Sequence, residues 1–104
     1  MVQVVETKAA FDALVASGKT VVVDFTATWC GPCQKIGPVF ASMAEEDKSD
    51  TTYIKVDVDD NSDTAEACGI SAMPTFQIYK GGDKVAEMRG ADEAGLKALI
   101  AKHA

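Results

Sequence analysis

Two kinds of apolar spacing take turns along the chain. Short apolar or alternating runs occur at Val2–Val5, Thr20–Phe25, Thr52–Val58, Thr75–Tyr79 and Lys84–Arg89. They read as strands, and the stretches between them, with apolar residues three and four apart, read as helices. Thr7 can cap a first helix running to about Ser17, with Phe11, Leu14 and Val15 on one face and Gly18 as its stop. The run Val21-Val22-Val23-Asp24-Phe25 is nearly all β-branched or aromatic, and its only polar residue is Asp24. Such a run suits a central strand covered on both faces.

Ile36, Val39, Phe40 and Met43 define a second helix that contains Pro38 and ends at Glu45-Glu46-Asp47. Proline in a helix interior removes a backbone hydrogen bond, so the pattern allows a kinked helix or two short ones divided at Gly37-Pro38. In the third strand Ile54, Val56 and Val58 share one face, and Tyr53, Lys55 and Asp57 share the other. Asn61-Ser62-Asp63 can cap a short helix that stops near Cys68-Gly69. The aspartates before it, Asp57, Asp59 and Asp60, lack the glycine and terminal glutamate of a calcium loop and read as turn and cap residues. Gly81-Gly82 marks a hairpin, Gly90 breaks the pattern, and Asp92 can cap a last helix with Leu96, Leu99 and Ile100 on one face. The order βαβαβα followed by ββα predicts an α/β fold, a parallel sheet covered on both faces with an antiparallel edge from the hairpin. Residues 1–104 form one expected domain, without repeats or linkers.

The chemistry concentrates where the second strand meets the second helix, at Thr28-Trp29-Cys30-Gly31-Pro32-Cys33. In a helical turn, Cα atoms three residues apart lie roughly 5 Å from each other, within the range a disulfide needs. At a helix start, unpaired N–H groups and the positive end of the dipole favour an anion. For Cys30 that anion is the thiolate, the nucleophilic form. Pro32 fits the first helical turn, where its missing N–H is no loss. Cys33, one turn further in, is expected to be more buried and to stay a thiol until needed, so Cys30 reads as attacker and Cys33 as resolver. A purely structural bridge across so short a loop would contribute only about 2 kcal/mol by loop-closure entropy. A structural zinc site needs four ligands, and beyond the pair the chain offers only Cys68 and His103. Redox chemistry is the favoured reading, with the staple and the half zinc site as alternatives.

Three further residues stand out. A carboxylate at Asp24, inside an apolar strand, is costly to bury ionised, so its pKa is expected to rise. The alternative is an ordinary aspartate at a strand end with access to water. Trp29, the one tryptophan, adjoins the nucleophile and could flank the site or pack in the core. Cys68 reads as a packed small hydrophobe, with a regulatory thiol as the alternative.

Asp24-Phe25, then Ala27-Thr28-Trp29-Cys30-Gly31-Pro32-Cys33, and Met73-Pro74-Thr75 downstream resemble the thioredoxin family over essentially the whole chain. The resemblance implies a thioredoxin fold, a five-stranded mixed sheet flanked by four helices, with the second helix single and bent. It implies a dithiol–disulfide oxidoreductase that reduces protein disulfides through a reversible Cys30–Cys33 disulfide. It needs no bound cofactor or metal, and its electrons come from NADPH through thioredoxin reductase or, in a chloroplast, from a ferredoxin-dependent reductase. Asp24 matches the aspartate proposed to accept the proton of the second cysteine through water, and Lys55 matches a lysine found near it in some members. Asp59 becomes a partner for the Trp29 N–H. Met73-Pro74, otherwise an ordinary turn, matches a cis bond facing the cysteines. Gly31, Pro32, Met73 and the Gly90-Ala91 backbone, beside Trp29, would then form the shallow surface on which an extended target segment docks. Two departures matter. Ala72 stands where animal members carry a further cysteine, and Gln34 stands where a basic residue is common.

Composition narrows the partners. The 104 residues are 47% hydrophobic, enough for one core, and carry a net charge of −6. That charge argues against nucleic acid or an anionic membrane as partner, leaving disulfide-containing proteins and the reductase. Neither a signal peptide nor a membrane-spanning run is visible, and three cysteines fit a reducing compartment better than a disulfide scaffold. A cytoplasmic monomer is expected, with an organellar location as the alternative. Two other functions share these features: a disulfide-forming oxidase or isomerase, disfavoured by Gly31-Pro32 where such proteins typically place a histidine, and a binding subunit that uses the surface beside Trp29 in either redox state.

Overall fold

A computed structural model describes residues 1–104. The elements are β1 (Val2–Val4), α1 (Lys8–Ala16), β2 (Val21–Thr26), α2 (Gly31–Glu46), β3 (Thr52–Asp57), α3 (Ser62–Ala67), β4 (Thr75–Lys80), β5 (Asp83–Arg89) and α4 (Glu93–His103). Three polar residues start helices where the sequence places them. Thr7 accepts the N–H of Ala10, Asn61 that of Thr64 and Asp92 that of Gly95, each satisfying a donor that has no partner within its helix. Gly81 and Gly82 both have positive φ, +63° and +89°, which the tight turn between β4 and β5 requires.

The sheet order is β1-β3-β2-β4-β5. β2 lies parallel to β3, from Val21 opposite Thr52 to Thr26 opposite Asp57, and antiparallel to β4. β1 is parallel to β3, and β5 closes the other edge antiparallel to β4. All six residues of β2 are buried. Its side chains alternate between two layers, as a strand's must. Val22 joins Ile36 and Phe40 of α2, Leu96 and Ile100 of α4, and Tyr53, Phe76 and Ile78. Val21, Val23 and Phe25 join Phe11 of α1, Val5, Ile54 and Val56. Asp24 therefore faces the α2 layer, with Lys55 and Phe76 as its cross-strand neighbours.

Three details refine the sequence reading. α2 is a single helix with Pro38 inside it, so the divided alternative is excluded. Val5 lies beyond β1, yet it is buried and its N–H donates to the Lys55 carbonyl at 3.0 Å. The Tyr53 face of β3 is covered as well. Tyr53 is buried against Phe40, with ring centroids 5.6 Å apart, and only its hydroxyl reaches out, donating to Asp47 Oδ2 at 2.7 Å. A residue with an apolar body and a polar tip satisfies both a core and an edge.

Phe40 joins helix to sheet, since its ring also lies 5.7 Å from that of Phe76 and none of it is exposed. Phe40→Ala should cost about 3–5 kcal/mol of folding free energy. Denaturant melts check this, and a loss under about 1 kcal/mol would mean that the α2 contact is not what secures this layer.

Candidate functional site

The end of β2 feeds the site directly. Thr26 completes the strand, and Ala27 to Cys30 turn into α2, with Cys30 as N-cap at φ −89° and ψ 107°. Pro32 occupies the first helical turn, as its fixed φ and missing N–H favour. Cys30 and Cys33 are joined in a disulfide, with Cα atoms 5.2 Å apart. The N–H of Cys33 points at Cys30 Sγ from 3.2 Å. A free N–H of a helix start thus faces the sulfur that would carry the negative charge in the dithiol state.

Cys33 is more buried than Cys30, but the margin is small, at 2% against 6% exposure. Cys30 is more enclosed than an attacker at an open helix end would be. Ala27, Val58 and Met73 pack around the pair. Gly31 and Pro32 are exposed beside it.

Trp29 is 66% exposed, so it is not a core residue. Its Nε1 donates to Asp59 Oδ2 at 2.8 Å. Asp57 Oδ1 accepts the N–H groups of Asp59 and Asp60, which folds the turn that presents the Asp59 carboxylate. Asp59 thus holds the ring beside the disulfide, as the resemblance implies, and Asp57 shapes the turn that presents it.

The Met73–Pro74 peptide is cis, and Pro74 is buried. The Met73 carbonyl oxygen lies 3.8 Å from Cys30 Sγ, a bond that a Cys30 thiol could donate. The N–H of Gly90 donates to the Pro74 carbonyl at 2.9 Å, and Gly90 takes φ +98°, open to glycine without strain. Met73, Gly90 and the exposed Ala91 are therefore brought to the same end of the sheet as the cysteines.

Asp24 is only 1% exposed, and neither carboxylate oxygen has a hydrogen-bond partner. Burial raises its pKa from the ordinary carboxylate value to about 7, against the opposing pull of the Lys55 charge. The solvated strand-end alternative is excluded. Lys55 is half-buried, and a Cβ on Gly37 would stand 3.8 Å from its Nζ, so α2 passes close over this lysine. Lys55 also lines a polar cavity of about 230 Å³ together with Thr26, Gln34, Asp57 and Asp60.

Cys68 is the one free thiol. It caps the C-terminal end of α3, packs half-buried among the residues around Phe11 and Ile54, and lies 3.7 Å from the Tyr79 hydroxyl. Burial pushes its pKa up, which disfavours the reactive thiolate. Gln34 is the residue whose contact no periodicity foretells. Its side-chain amide donates to the Ala27 carbonyl at 2.9 Å, seven residues back across the disulfide. No group of three or more His, Cys, Asp or Glu side chains is placed to hold a metal ion, and no helix is long and apolar enough to cross a membrane.

Comparison with known proteins agrees with this geometry. The thioredoxin family model matches residues 2–102. The chain is 50% identical over 106 residues to thioredoxin of Mus musculus, covering 100% of both chains. It is 50% identical over 105 residues to the H-type thioredoxin of Chlamydomonas reinhardtii, covering 97% of this chain and 93% of that one. Among solved structures, Plasmodium falciparum thioredoxin superposes with a TM-score of 0.93 at 40% identity, over 98% of this chain and 99% of that one. The match covers the strand, turn and helix that carry the disulfide, so its chemistry comes with the fold: the chain belongs to the thioredoxin family and is a dithiol–disulfide oxidoreductase of the protein-disulfide reductase kind.

Proposed function

We propose that Cys30 is the nucleophile, Cys33 the resolving thiol and Asp24 the proton acceptor in the reduction of protein disulfides. The observation that carries this reading is the position of Cys30 as N-cap of α2, with a helix-start N–H aimed at its sulfur. The Cys30 thiolate attacks one sulfur of the target disulfide, forming a mixed disulfide and expelling the first target thiolate. Cys33 loses its proton to Asp24 through water, and its thiolate attacks Cys30 Sγ. That breaks the mixed disulfide, forms the Cys30–Cys33 bond and expels the second target thiolate. Two electrons have passed to the target.

Asp24 suits the acceptor role because a carboxylate titrating near 7 can both take and return a proton at neutral pH. Lys55 supports its charged form. Trp29, Met73, Gly90 and Ala91 form the docking surface, with Gly31, Pro32 and Pro74 shaping it. The Met73 carbonyl, beside Cys30 Sγ, offers a backbone hydrogen bond to an extended segment of the target. Residues 1–104 act as one domain and as a monomer in the cytoplasm. NADPH-dependent thioredoxin reductase returns the pair to the dithiol state, a role supported by the family membership and by the small, uncharged surface of Trp29, Gly31 and Pro32 beside the disulfide.

Two experiments test the roles. Cys33→Ser should accumulate mixed disulfides with target proteins through Cys30, and Cys30→Ser should trap few. Equal trapping by the two, seen on non-reducing gels and by mass spectrometry, would refute the order of attack. For Asp24, the folded pKa of about 7 lies above the unfolded value of ~3.9. Its favourable contribution is complete below pH ~4 and is lost as pH rises, at about 1.4 kcal/mol per pH unit, levelling off above the folded value. Asp24→Asn should therefore be the more stable protein at pH 8 and lose that advantage below pH ~4, while turning over more slowly at neutral pH. The rate deficit should narrow in alkali, where hydroxide can take the Cys33 proton. Denaturant melts and pH–rate profiles decide, and a variant that is less stable and equally fast at pH 7 would remove Asp24 from the mechanism.

A further inference from the structure

The turn that carries Cys30 is gathered on one buried acceptor. Ala27 is fully buried at the end of β2, and its carbonyl oxygen accepts the N–H of Cys30 at 3.2 Å. From the far side of the disulfide, Gln34 Nε2 donates to the same oxygen at 2.9 Å. The backbone N–H of Gln34 also donates to the Cys30 carbonyl at 3.1 Å. One residue thus reaches back twice across the segment that holds both sulfurs. None of these bonds involves a sulfur atom, so they are available when the S–S bond is open.

Ring closure in the dithiol or mixed-disulfide state needs the Cys33 sulfur held at Cys30. A contact that keeps the open segment in its closing geometry raises the effective concentration of one sulfur at the other. In the closed state the covalent bond already enforces that geometry, so the contact forms there at no further ordering cost and, by linkage, favours closure. We infer that Gln34 is a positioning residue for disulfide closure, acting by clamping its side-chain amide onto the Ala27 carbonyl. The step it favours is attack of the Cys33 thiolate on Cys30 Sγ, with the S–S bond between the pair formed, the bond to the target broken, and the target leaving as thiolate. The inference rests on the pair cycling between dithiol and disulfide, and it holds whichever cysteine attacks first.

Gln34→Met keeps length and bulk without a donor, and Gln34→Glu keeps shape while replacing the donor by acceptors. Gln34 is exposed, so both variants should fold, which melts of the oxidised forms check. Equilibration with reduced and oxidised glutathione should show the closed disulfide weakened about two- to fivefold in Gln34→Met, the size expected of one partly exposed hydrogen bond. Gln34→Glu should lose at least as much. In single-turnover reaction with a small aromatic disulfide, the first attack should be little changed and the mixed disulfide should live correspondingly longer. The oxidised form should accordingly lose more thermal stability than the reduced form. An unchanged glutathione equilibrium, or equal loss of stability in both redox forms, would make the contact merely structural and overturn the inference. A loss confined to the first attack would also overturn it. If the mixed disulfide forms on Cys33 in the parent protein, the order of attack proposed above fails, while the glutathione equilibrium still decides the part played by Gln34.

Discussion

A strand with no exposed residue must be paired along both edges and covered on both faces, and β2 meets that constraint at all six positions. β3 and β4 supply the edges, and the α2/α4 and α1/α3 layers supply the faces. The requirement fixes where the chain can leave the sheet. At Ala27 it leaves the strand, and by Gly31 it is helical. The redox pair sits in that short transition, held by the core on one side and by the start of α2 on the other. Ala27, Cys30 and Cys33 form a buried cluster of their own, with Val58 and Met73 packed against it.

The same burial gives the site its electrostatic character. Asp24 lies inside this strand with no hydrogen-bond partner for either oxygen, a costly arrangement for a charge. A neighbouring lysine, half-buried under α2 at Gly37, softens the cost without removing it. The residue is thus poised between charge states near neutral pH, while the helix start favours a negative sulfur a short way along the chain. Little of either sulfur is exposed, so access depends on the surface around them. Trp29 is tied to Asp59, and the Gly90 loop is tied to Pro74. On the docking surface proposed above, a target disulfide would meet parts that are already fixed, which lowers the ordering cost of binding.

Much of this was legible in the residues. Thr7, Asn61 and Asp92 mark helix starts because a short polar side chain before an apolar repeat has one obvious use. The unbroken run at Val21-Val22-Val23 announces a strand buried on both faces, and Gly81-Gly82 announces the hairpin. Cys30 and Cys33 are legible from spacing, and Asp24 from its apolar company. Other features depend on distances that no local pattern encodes. Alternation puts Tyr53 on the same face as Lys55 and Asp57, and alternation alone cannot show that α2 covers it. The near-equal burial of the two cysteines comes from Met73 and Val58, which are remote in sequence. Gln34 stood out only as a departure from a family habit. Its contact with Ala27 spans seven residues across a bend and belongs to neither the helical nor the strand period.

The equilibrium potential of the Cys30–Cys33 pair tests most directly whether it is a reducing couple. Purified protein equilibrated in graded glutathione buffers, with the Cys30–Cys33 state read by alkylation and mass spectrometry, gives the value. A reducing couple should give a potential clearly more negative than the ~−230 to −200 mV range of glutathione-coupled dithiol proteins. A potential within or above that band would mark a disulfide donor or shuffler and contradict that reading.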